Sequence, residues 1–394
     1  MSSVATGLDV VPEWVHVQYA EAAQFTEVYG FAGSQGTVNL EGVRLTPKGK
    51  PGKTLVVMMH PATSLQLLPV PRALAAAGLH VLCAGNRYLR NDTPLIMEKV
   101  ALDLGAYLRH AREIWRYDKI VLLGWSGGGP LSLFYQSQAE RPTVAATPAG
   151  DPVDLVAAQL PAADAVIFQA ANVSRAKLLA DSIDPSVLDE NDPDSRDPGL
   201  DIYDPRNSNQ PPYSPQFVAR YRAAQLSRMR RRTAWVKETL ERLKRRGGKE
   251  LERSFVTHRT MADLRYMDPA IDPNDRRPRW CHIGDPETSN SGPAGFARFS
   301  TLRAWLSQWS IDDSNVSGPR GAASITVPLL VVQNSADEAA PASDSVAIHQ
   351  AAGSTDKTLV VIKGATHYYQ GQPELLRQGT GVLVDWLGAR GLLD

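Results

Sequence analysis

The 394-residue sequence contains two cysteines, Cys83 and Cys281, and has no excess of charge of either sign. Two cysteines cannot build a disulfide scaffold, and no metal-ligand spacing surrounds them, so they fit either a reducing compartment or a protein indifferent to its redox environment. Lysine plus arginine and aspartate plus glutamate number 42 each. This balance gives no whole-chain electrostatic argument for nucleic acid or an anionic membrane as a partner.

Long hydrophobic runs are also missing. No apolar stretch approaches the roughly 20 residues that cross a bilayer, and Met1 to Glu13 lacks a basic segment followed by an apolar one. We therefore expect no membrane span, no secretory leader and a cytoplasmic location. The composition that is present, 43% hydrophobic and 21% charged, is typical of a globular protein and excludes disordered, collagen-like and coiled-coil chains.

Short apolar runs alternate with amphipathic segments through the first part of the chain. Runs typical of strands buried on both faces cover Thr54–Thr63, His80–Tyr88, Lys119–Ser126 and Asp164–Ala170. Helical spacing covers Val70–Ala77, Pro94–Trp115 and Pro130–Glu140, and Asp92 or Thr93 is the expected cap of the second helix. This order predicts a mostly parallel α/β sheet covered by helices on both faces.

The alternation is interrupted in residues 172–292. This segment contains a Pro/Asp-rich acidic stretch, Asp181–Asp204, and a basic helical stretch, Arg220–Arg246. We predict that it is a helical cap inserted into a core formed by residues 1–171 and 293–394. The alternation then resumes, with predicted strands over Thr326–Asn334 and Thr358–Gly364 and predicted helices over Ala342–Ala351 and Gln372–Ala389.

The sequence Gly-Trp-Ser-Gly-Gly at Gly124–Gly128 satisfies the G-x-S-x-G pattern and lies where a predicted strand passes into a predicted helix. This setting is typical of a nucleophile elbow, a turn so tight that flanking side chains would clash. The strained turn presents the Ser126 hydroxyl at a helix N-terminus, where partial positive charge favours developing negative charge. We predict that Ser126 is a catalytic nucleophile.

A serine nucleophile needs a general base and a carboxylate that orients it. Among the eight histidines, His367 follows the last predicted strand, so it lies at the same edge of a parallel sheet as Ser126. Asp337 follows the strand before it, and Glu338 and Asp344 are its rivals. We predict that His367 is the base and Asp337 the orienting acid, which gives the chain order Ser, Asp, His.

On these residues the chain resembles the α/β-hydrolase fold superfamily, over about residues 40–171 and 325–389. The resemblance implies an oxyanion hole made by the backbone N–H of Gly127 and that of either Ala62 or Thr63. The sequence has His60-Pro61 where a His-Gly pair is common, and Pro61 has no N–H to donate. A serine nucleophile also separates this chain from the dehalogenases and epoxide hydrolases of the superfamily, which attack with aspartate.

The predicted function is a serine hydrolase that cleaves a carboxylic ester through an acyl-enzyme, with Trp125 and His60 as substrate contacts. The expected partner is a small molecule with a hydrophobic acyl or aromatic part, without cofactor, metal or nucleic acid. An acyl-CoA thioesterase or a carbon–carbon hydrolase would use the same residues. A non-catalytic binding protein of this fold is the alternative from another class, and the oligomeric state stays open.

The basic residues of the insertion bear on the thioesterase alternative. Arg228–Arg232 and Lys244–Arg246 are placed either to bind the phosphates of coenzyme A or to neutralise the acidic stretch of the same insertion.

Overall fold

The computed structural model describes residues 7–21 and 36–393. Residues 1–6, 22–35 and 394, which belong to the predicted core and include the beginning of the segment in which a leader was sought, lie outside the described residues.

The described strands and helices are as follows. The strands are β1 (Val10–Ala20), β2 (Thr37–Pro47), β3 (Thr54–Met59), β4 (His80–Ala84), β5 (Lys119–Trp125), β6 (Ala165–Gln169), β7 (Val187–Asp189), β8 (Asp192–Arg196), β9 (Ser254–Val256), β10 (Phe299–Thr301), β11 (Leu329–Asn334) and β12 (Lys357–Ile362). The helices are α1 (Pro69–Ala76), α2 (Met97–Glu113), α3 (Gly128–Glu140), α4 (Arg175–Ser182), α5 (Pro215–Arg246), α6 (Leu264–Met267), α7 (Pro286–Ser291), α8 (Leu302–Ala304), α9 (Gly318–Ser324), α10 (Ala342–Ala351) and α11 (Pro373–Gly388), and a π-helical turn covers Trp305–Trp309.

Eight of these strands form one sheet in the order β1-β2-β4-β3-β5-β6-β11-β12. The strands from β4 to β12 in this order run parallel, whereas β2 is antiparallel to both β1 and β4. The predicted mostly parallel sheet is therefore confirmed. Because β5, β6, β11 and β12 are parallel neighbours, the loops that follow them meet at one edge of the sheet.

Helices cover both faces of the sheet, as predicted. Alternate residues of each central strand point to opposite faces, so that in β5 Ile120 and Leu122 pack with α2 and α3, while Val121 and Leu123 pack with α1 and α11. Both faces of the central strands are buried, which explains why the sequences of these strands are continuous apolar runs.

The segment between β6 and β11 contains α4 to α9 and two short antiparallel ribbons, β7–β8 and β9–β10. Its apolar cluster joins α4 and α5 to the π-helical turn through Met229, Leu240 and Trp305. Since β10 and this turn pack with β9 and α5, the predicted boundary at residue 292 falls inside a packed unit. The description of this unit as a helical cap stays a prediction.

Two expectations about the core were wrong or incomplete. The second helix begins at Met97 with Ile96 as its N-cap, so neither Asp92 nor Thr93 caps it. Asp92 instead accepts a hydrogen bond from Arg175, far along the chain. The antiparallel edge formed by β1 and β2 was not predicted. No helix in the described ranges is both long enough and apolar enough to traverse a bilayer.

Candidate active site

Ser126 occupies the turn between β5 and α3 with φ of 54°, in the left-handed region that non-glycine residues rarely adopt. The glycines around it leave room for this turn. A Cβ on Gly124 would lie 2.5 Å from the Cα of Gly129, and a Cβ on Gly128 would collide with the carbonyl oxygen of Met59. The strained turn and its packing fit the nucleophile elbow predicted at this position.

His367 and Asp337 are joined by hydrogen bonds, as the sequence predicts. His367 Nδ1 lies 2.9 Å from Asp337 Oδ2 and 3.1 Å from Oδ1, and both side chains are 1% exposed. Asp337 Oδ1 also accepts hydrogen bonds from the backbone N–H of Ala339 and of Ala340, at 2.7 and 2.8 Å. These donors orient the carboxylate, and the carboxylate holds the imidazole with Nδ1 toward it, as the predicted base requires.

The loop that carries His367 is held by the end of the neighbouring strand. Asn334, the last residue of β11, donates from Nδ2 to the carbonyl oxygen of Thr366 at 2.9 Å and accepts from the Tyr369 hydroxyl at 2.8 Å. Gln169, the last residue of β6, donates to the same hydroxyl at 3.2 Å. Sequence reasoning missed these three residues, because a polar residue at the end of a strand gives no indication of its partner.

Trp125, the residue before Ser126, contacts His367 directly. The Trp125 and His367 ring centroids are 4.4 Å apart, and Trp125 Nε1 donates to the His367 carbonyl oxygen at 3.4 Å. The hydrogen bonds of the described residues join His367 to Asp337 but do not include one from Ser126 Oγ to His367. Such contacts are often long without substrate and tighten when it binds.

Trp125, predicted to contact substrate, is 4% exposed and packs against the rings of His367 and Tyr368, with centroids 4.4 and 5.5 Å away. These contacts place Trp125 against the residue predicted to be the base, and its contact with substrate stays a prediction.

The predicted second oxyanion donors have another partner in this structure. The backbone N–H groups of Ala62 and Thr63 both donate to His60 Nδ1, at 3.1 and 3.2 Å. Asn86, which is buried, donates from Nδ2 to the carbonyl oxygens of His60 and Pro61 at 3.0 and 2.8 Å. The turn after β3 is therefore held by hydrogen bonds from its own backbone to the His60 ring. Gly127 is the N-cap residue of α3, and its N–H has no hydrogen-bond partner among the described residues.

Two further residues of the insertion, His282 and Arg175, lie near the site. Sequence reasoning did not predict that either would lie there. His282 stacks on Phe296 with centroids 5.4 Å apart, and its ring lies 6.2 Å from that of His367. Arg175 is buried at the start of α4, donates to Asp92 at 2.5 Å and lies 4.2 Å above the Trp309 ring. Their positions depend on the path of the insertion, which no periodic pattern in the sequence specifies.

Burial and neighbouring charge keep two of the site histidines neutral. Burial lowers the pKa of His60 to about 3, and the charge of Arg175 lowers it further, ahead of smaller contributions from His367 and His282. Burial, followed by the charge of His367, lowers the pKa of His282 to about 4. Both rings are therefore uncharged across the neutral pH range.

Residues of the basic stretch of α5 form ion pairs and hydrogen bonds with other parts of the protein. Arg228 is fully buried, pairs with Glu190 at 2.8 Å and donates to the carbonyl oxygens of Asp184 and His258. Arg230 pairs with Asp312 at 2.8 Å. The insertion thus neutralises part of its own charge, which weakens the sequence argument for coenzyme A phosphates. The described residues contain no group of three histidine, cysteine or acidic side chains placed to hold a metal ion.

Comparison with known proteins yields structural similarity only. No protein-family model matches the sequence, and no curated protein is significantly similar to it. The solved structure of DcsB in complex with its substrate analogue is 13% identical and covers 96% of this chain and 99% of its own, with a TM-score of 0.52. Together with the sheet order and the serine turn after β5, this similarity decides the fold.

The chain has the α/β-hydrolase fold. Est1E from Butyrivibrio proteoclasticus is 14% identical over 90% of this chain and 96% of its own, with a TM-score of 0.48. The monoacylglycerol lipase of Paleococcus ferrophilus is 16% identical over 88% of this chain and 98% of its own, with a TM-score of 0.45. A shared fold does not determine a function, so the activity has to be argued from the site itself.

Proposed function

We propose that this α/β-hydrolase is a serine hydrolase that cleaves carboxylic esters of small molecules through an acyl-enzyme on Ser126. The observation that carries the proposal is the buried His367–Asp337 pair at the same sheet edge as a serine in the left-handed conformation. A buried carboxylate bonded to Nδ1 leaves Nε2 of the imidazole as the proton acceptor, which is the arrangement that an alcohol nucleophile requires.

In this mechanism Ser126 Oγ attacks the ester carbonyl carbon while His367 Nε2 takes the hydroxyl proton. The Gly127 N–H, free at the start of α3, stabilises the oxyanion of the tetrahedral intermediate. The carbon–oxygen bond to the leaving group then breaks, and His367 returns the proton to the departing alcohol. A water molecule, deprotonated by His367, cleaves the acyl-enzyme in the same two steps and releases the carboxylic acid.

Labelling with a fluorophosphonate tests the nucleophile directly. We expect one covalent adduct on the Ser126 peptide by mass spectrometry, none in Ser126→Ala, and normal labelling in Ser208→Ala, which changes an exposed serine of the insertion. Hydrolysis of p-nitrophenyl esters of graded chain length should fall in Ser126→Ala by about 10⁴-fold or more. A wild-type protein that takes no label and hydrolyses no ester would instead be a binding protein of this fold.

Acyl-CoA thioesters run beside the ester panel separate the leaving groups. Of the run Arg228–Arg232, Arg231 is exposed, with Ser227 of its own helix as hydrogen-bond partner. Preferential turnover of thioesters that falls in Arg231→Ala would replace the ester proposal by the thioesterase alternative. Equal thioester turnover in wild type and Arg231→Ala gives no support to a phosphate contact there.

A further inference from the structure

The turn after β3 was expected to offer backbone N–H donors to the substrate. It instead places the His60 side chain beside Gly127, the residue that follows Ser126. In this turn the N–H groups of Ala62 and Thr63 both donate to His60 Nδ1. Neither is then available to stabilise negative charge on a substrate oxygen.

These two hydrogen bonds also determine the tautomer of His60. A ring nitrogen that accepts hydrogen bonds carries a lone pair, so Nδ1 is unprotonated and the neutral ring holds its proton on Nε2. Burial and the charge of Arg175 lower the pKa of His60 to about 3, so the doubly protonated ring does not form at neutral pH. A ring in this state donates from Nε2 and has no lone pair there with which to accept the serine proton.

The ring is aimed at Gly127. A Cβ built on Gly127 would lie 2.9 Å from His60 Nε2, against 3.4 Å from Cε1 and 3.5 Å from Cδ2. Nε2 is thus the His60 ring atom closest to the Cβ position of Gly127, whose own N–H has no hydrogen-bond partner among the described residues. Among the described residues Nε2 has no hydrogen-bond partner, since the bonds of this ring all go to Nδ1.

We infer that His60 is a catalytic residue whose Nε2–H, together with the Gly127 N–H, forms the oxyanion hole. This inference rests on the proposed function, because it assigns the second donor for the same intermediate. The hydrogen bonds from Asn86 to the carbonyl oxygens of His60 and Pro61 make Asn86 a positioning residue that holds the turn and the ring before substrate arrives.

Replacing His60 tests the assignment. His60→Ala should lower kcat for the preferred ester by about 10²–10³, the effect of losing one oxyanion donor, with a much smaller change in KM. His60→Gln, whose amide can donate from nearly the same place, should recover part of the loss. His349→Gln, at the end of α10, is the matched control and should keep wild-type kcat.

A readout specific to the oxyanion separates catalysis from a structural role of the ring. A trifluoromethyl ketone that adds to Ser126 forms a tetrahedral oxyanion, whereas the corresponding alcohol does not. His60→Ala should weaken binding of the ketone by the same factor as kcat/KM and leave binding of the alcohol unchanged. Equal weakening of both, or kcat within about threefold of wild type, where donor loss should cost about 10²–10³, would overturn the assignment.

The tautomer can be measured on the wild-type protein itself. Nitrogen-15 NMR of the wild-type protein should show Nε2 of His60 protonated and Nδ1 bare, with His60→Gln used only to assign the resonance. A bare Nε2 contradicts the inference. If fluorophosphonate labels Ser126 while the His60 tests fail, the proposed function stands without this donor; if Ser126 is not labelled, the proposed function itself fails.

Discussion

At the scale of single residues, the position of one carboxylate decides whether His367 can act as a base. Asp337→Asn keeps the shape of the side chain, but its amide stabilises the wrong imidazole tautomer. We therefore expect kcat for ester hydrolysis to fall by about 10⁴. The measurement is steady-state hydrolysis of the best ester in the panel, with thermal unfolding to verify the fold.

The neighbouring acid provides the control for that prediction. Glu338→Gln removes the charge of the next carboxylate along the same loop, which contacts the His367 backbone N–H but not its ring. The amide oxygen can still accept from that N–H, so kcat should stay close to wild type. If Asp337→Asn kept activity and Glu338→Gln lost it, the rival acid named from the sequence would take the role of Asp337.

A second residue-scale prediction concerns packing behind the nucleophile. A Cβ on Gly129 would lie 2.5 Å from the Cβ of Ala171 and 2.6 Å from the Phe168 ring. Since both neighbours are fully buried, Gly129→Ala should destabilise the protein by about 1–3 kcal/mol in urea unfolding. Gly381→Ala, in α11 with open space around the new methyl, should be neutral or stabilising. Because alanine favours the helix more than glycine does, equal destabilisation by both variants would show that the clash at Gly129 does not set the cost.

The three proposed catalytic residues could be predicted from the sequence because each follows a strongly apolar strand. The residues that complete the site could not. The direction of the His60 ring depends on two backbone N–H groups that a sequence does not display. His282 and Arg175 belong to the insertion, and their positions near the site depend on long-range contacts.

At the scale of elements, a stretch of the insertion is fastened to the loop that carries the proposed acid. Ser335 donates to Asp275, Lys363 pairs with Asp275 at 2.6 Å, and Asn274 Nδ2 donates to the Asp337 carbonyl oxygen at 2.9 Å. Because a small displacement of a catalytic group is costly, the insertion should influence turnover through this contact.

Asn274→Asp isolates that influence. The aspartate keeps the oxygen that accepts from Arg276 N–H and Nη1 at 3.1 and 2.8 Å, but replaces the donor to Asp337 with an oxygen that repels the carbonyl. We expect kcat to fall about tenfold to a hundredfold, with a stability loss of about 1 kcal/mol. Asn191→Asp, an exposed site of the insertion, makes the same charge change and should leave kcat unaltered. A fall in both variants would assign the effect to charge alone.

The strands and helices of the core were predictable to within a few residues because their patterns are local. The predicted helix over Ala342–Ala351 agrees with α10 at both ends. The edge strand β1 and its neighbour β2 were missed because much of their surface is half-buried or exposed, so neither is a continuous apolar run. The cap assigned to α2 was wrong because Asp92 bonds Arg175, a partner that local capping rules do not consider.

At the scale of the whole molecule, the sheet brings together residues that are far apart in the chain. Residues near 60, 126, 337 and 367 follow β3, β5, β11 and β12, all of which end at one edge. The alternation of apolar and amphipathic segments predicts this meeting. The insertion is held together in part by ion pairs between residues far apart in the chain, such as Arg259–Asp184 and Arg222–Asp263. Such pairs produce no periodic pattern in the sequence, so its fold could not be predicted in the same way.

Two half-buried histidines of the site, His60 and His282, make the stability of the whole protein depend on pH. In the unfolded chain a histidine titrates near 6.5, whereas the folded protein holds the pKa of His60 at about 3 and that of His282 at about 4. Between pH 6.5 and 4 the unfolded chain therefore binds protons that the folded protein does not, so stability falls as the pH falls. Asp344 opposes this trend, because burial raises its pKa to about 6, and the folded protein gains a proton there below that pH.

A single substitution separates the two trends. His282→Gln removes one depressed histidine, so its loss of unfolding free energy between pH 6.5 and 5 should be smaller than that of wild type by about 1.5 kcal/mol. Urea unfolding at closely spaced pH values measures the difference, and His349→Gln, near the end of α10, provides the control and should follow the wild-type curve. If His282→Gln lost as much stability on acidification as wild type, the His282 ring would be charged or solvated in the folded protein, and its stacking on Phe296 would have to be an arrangement open to water.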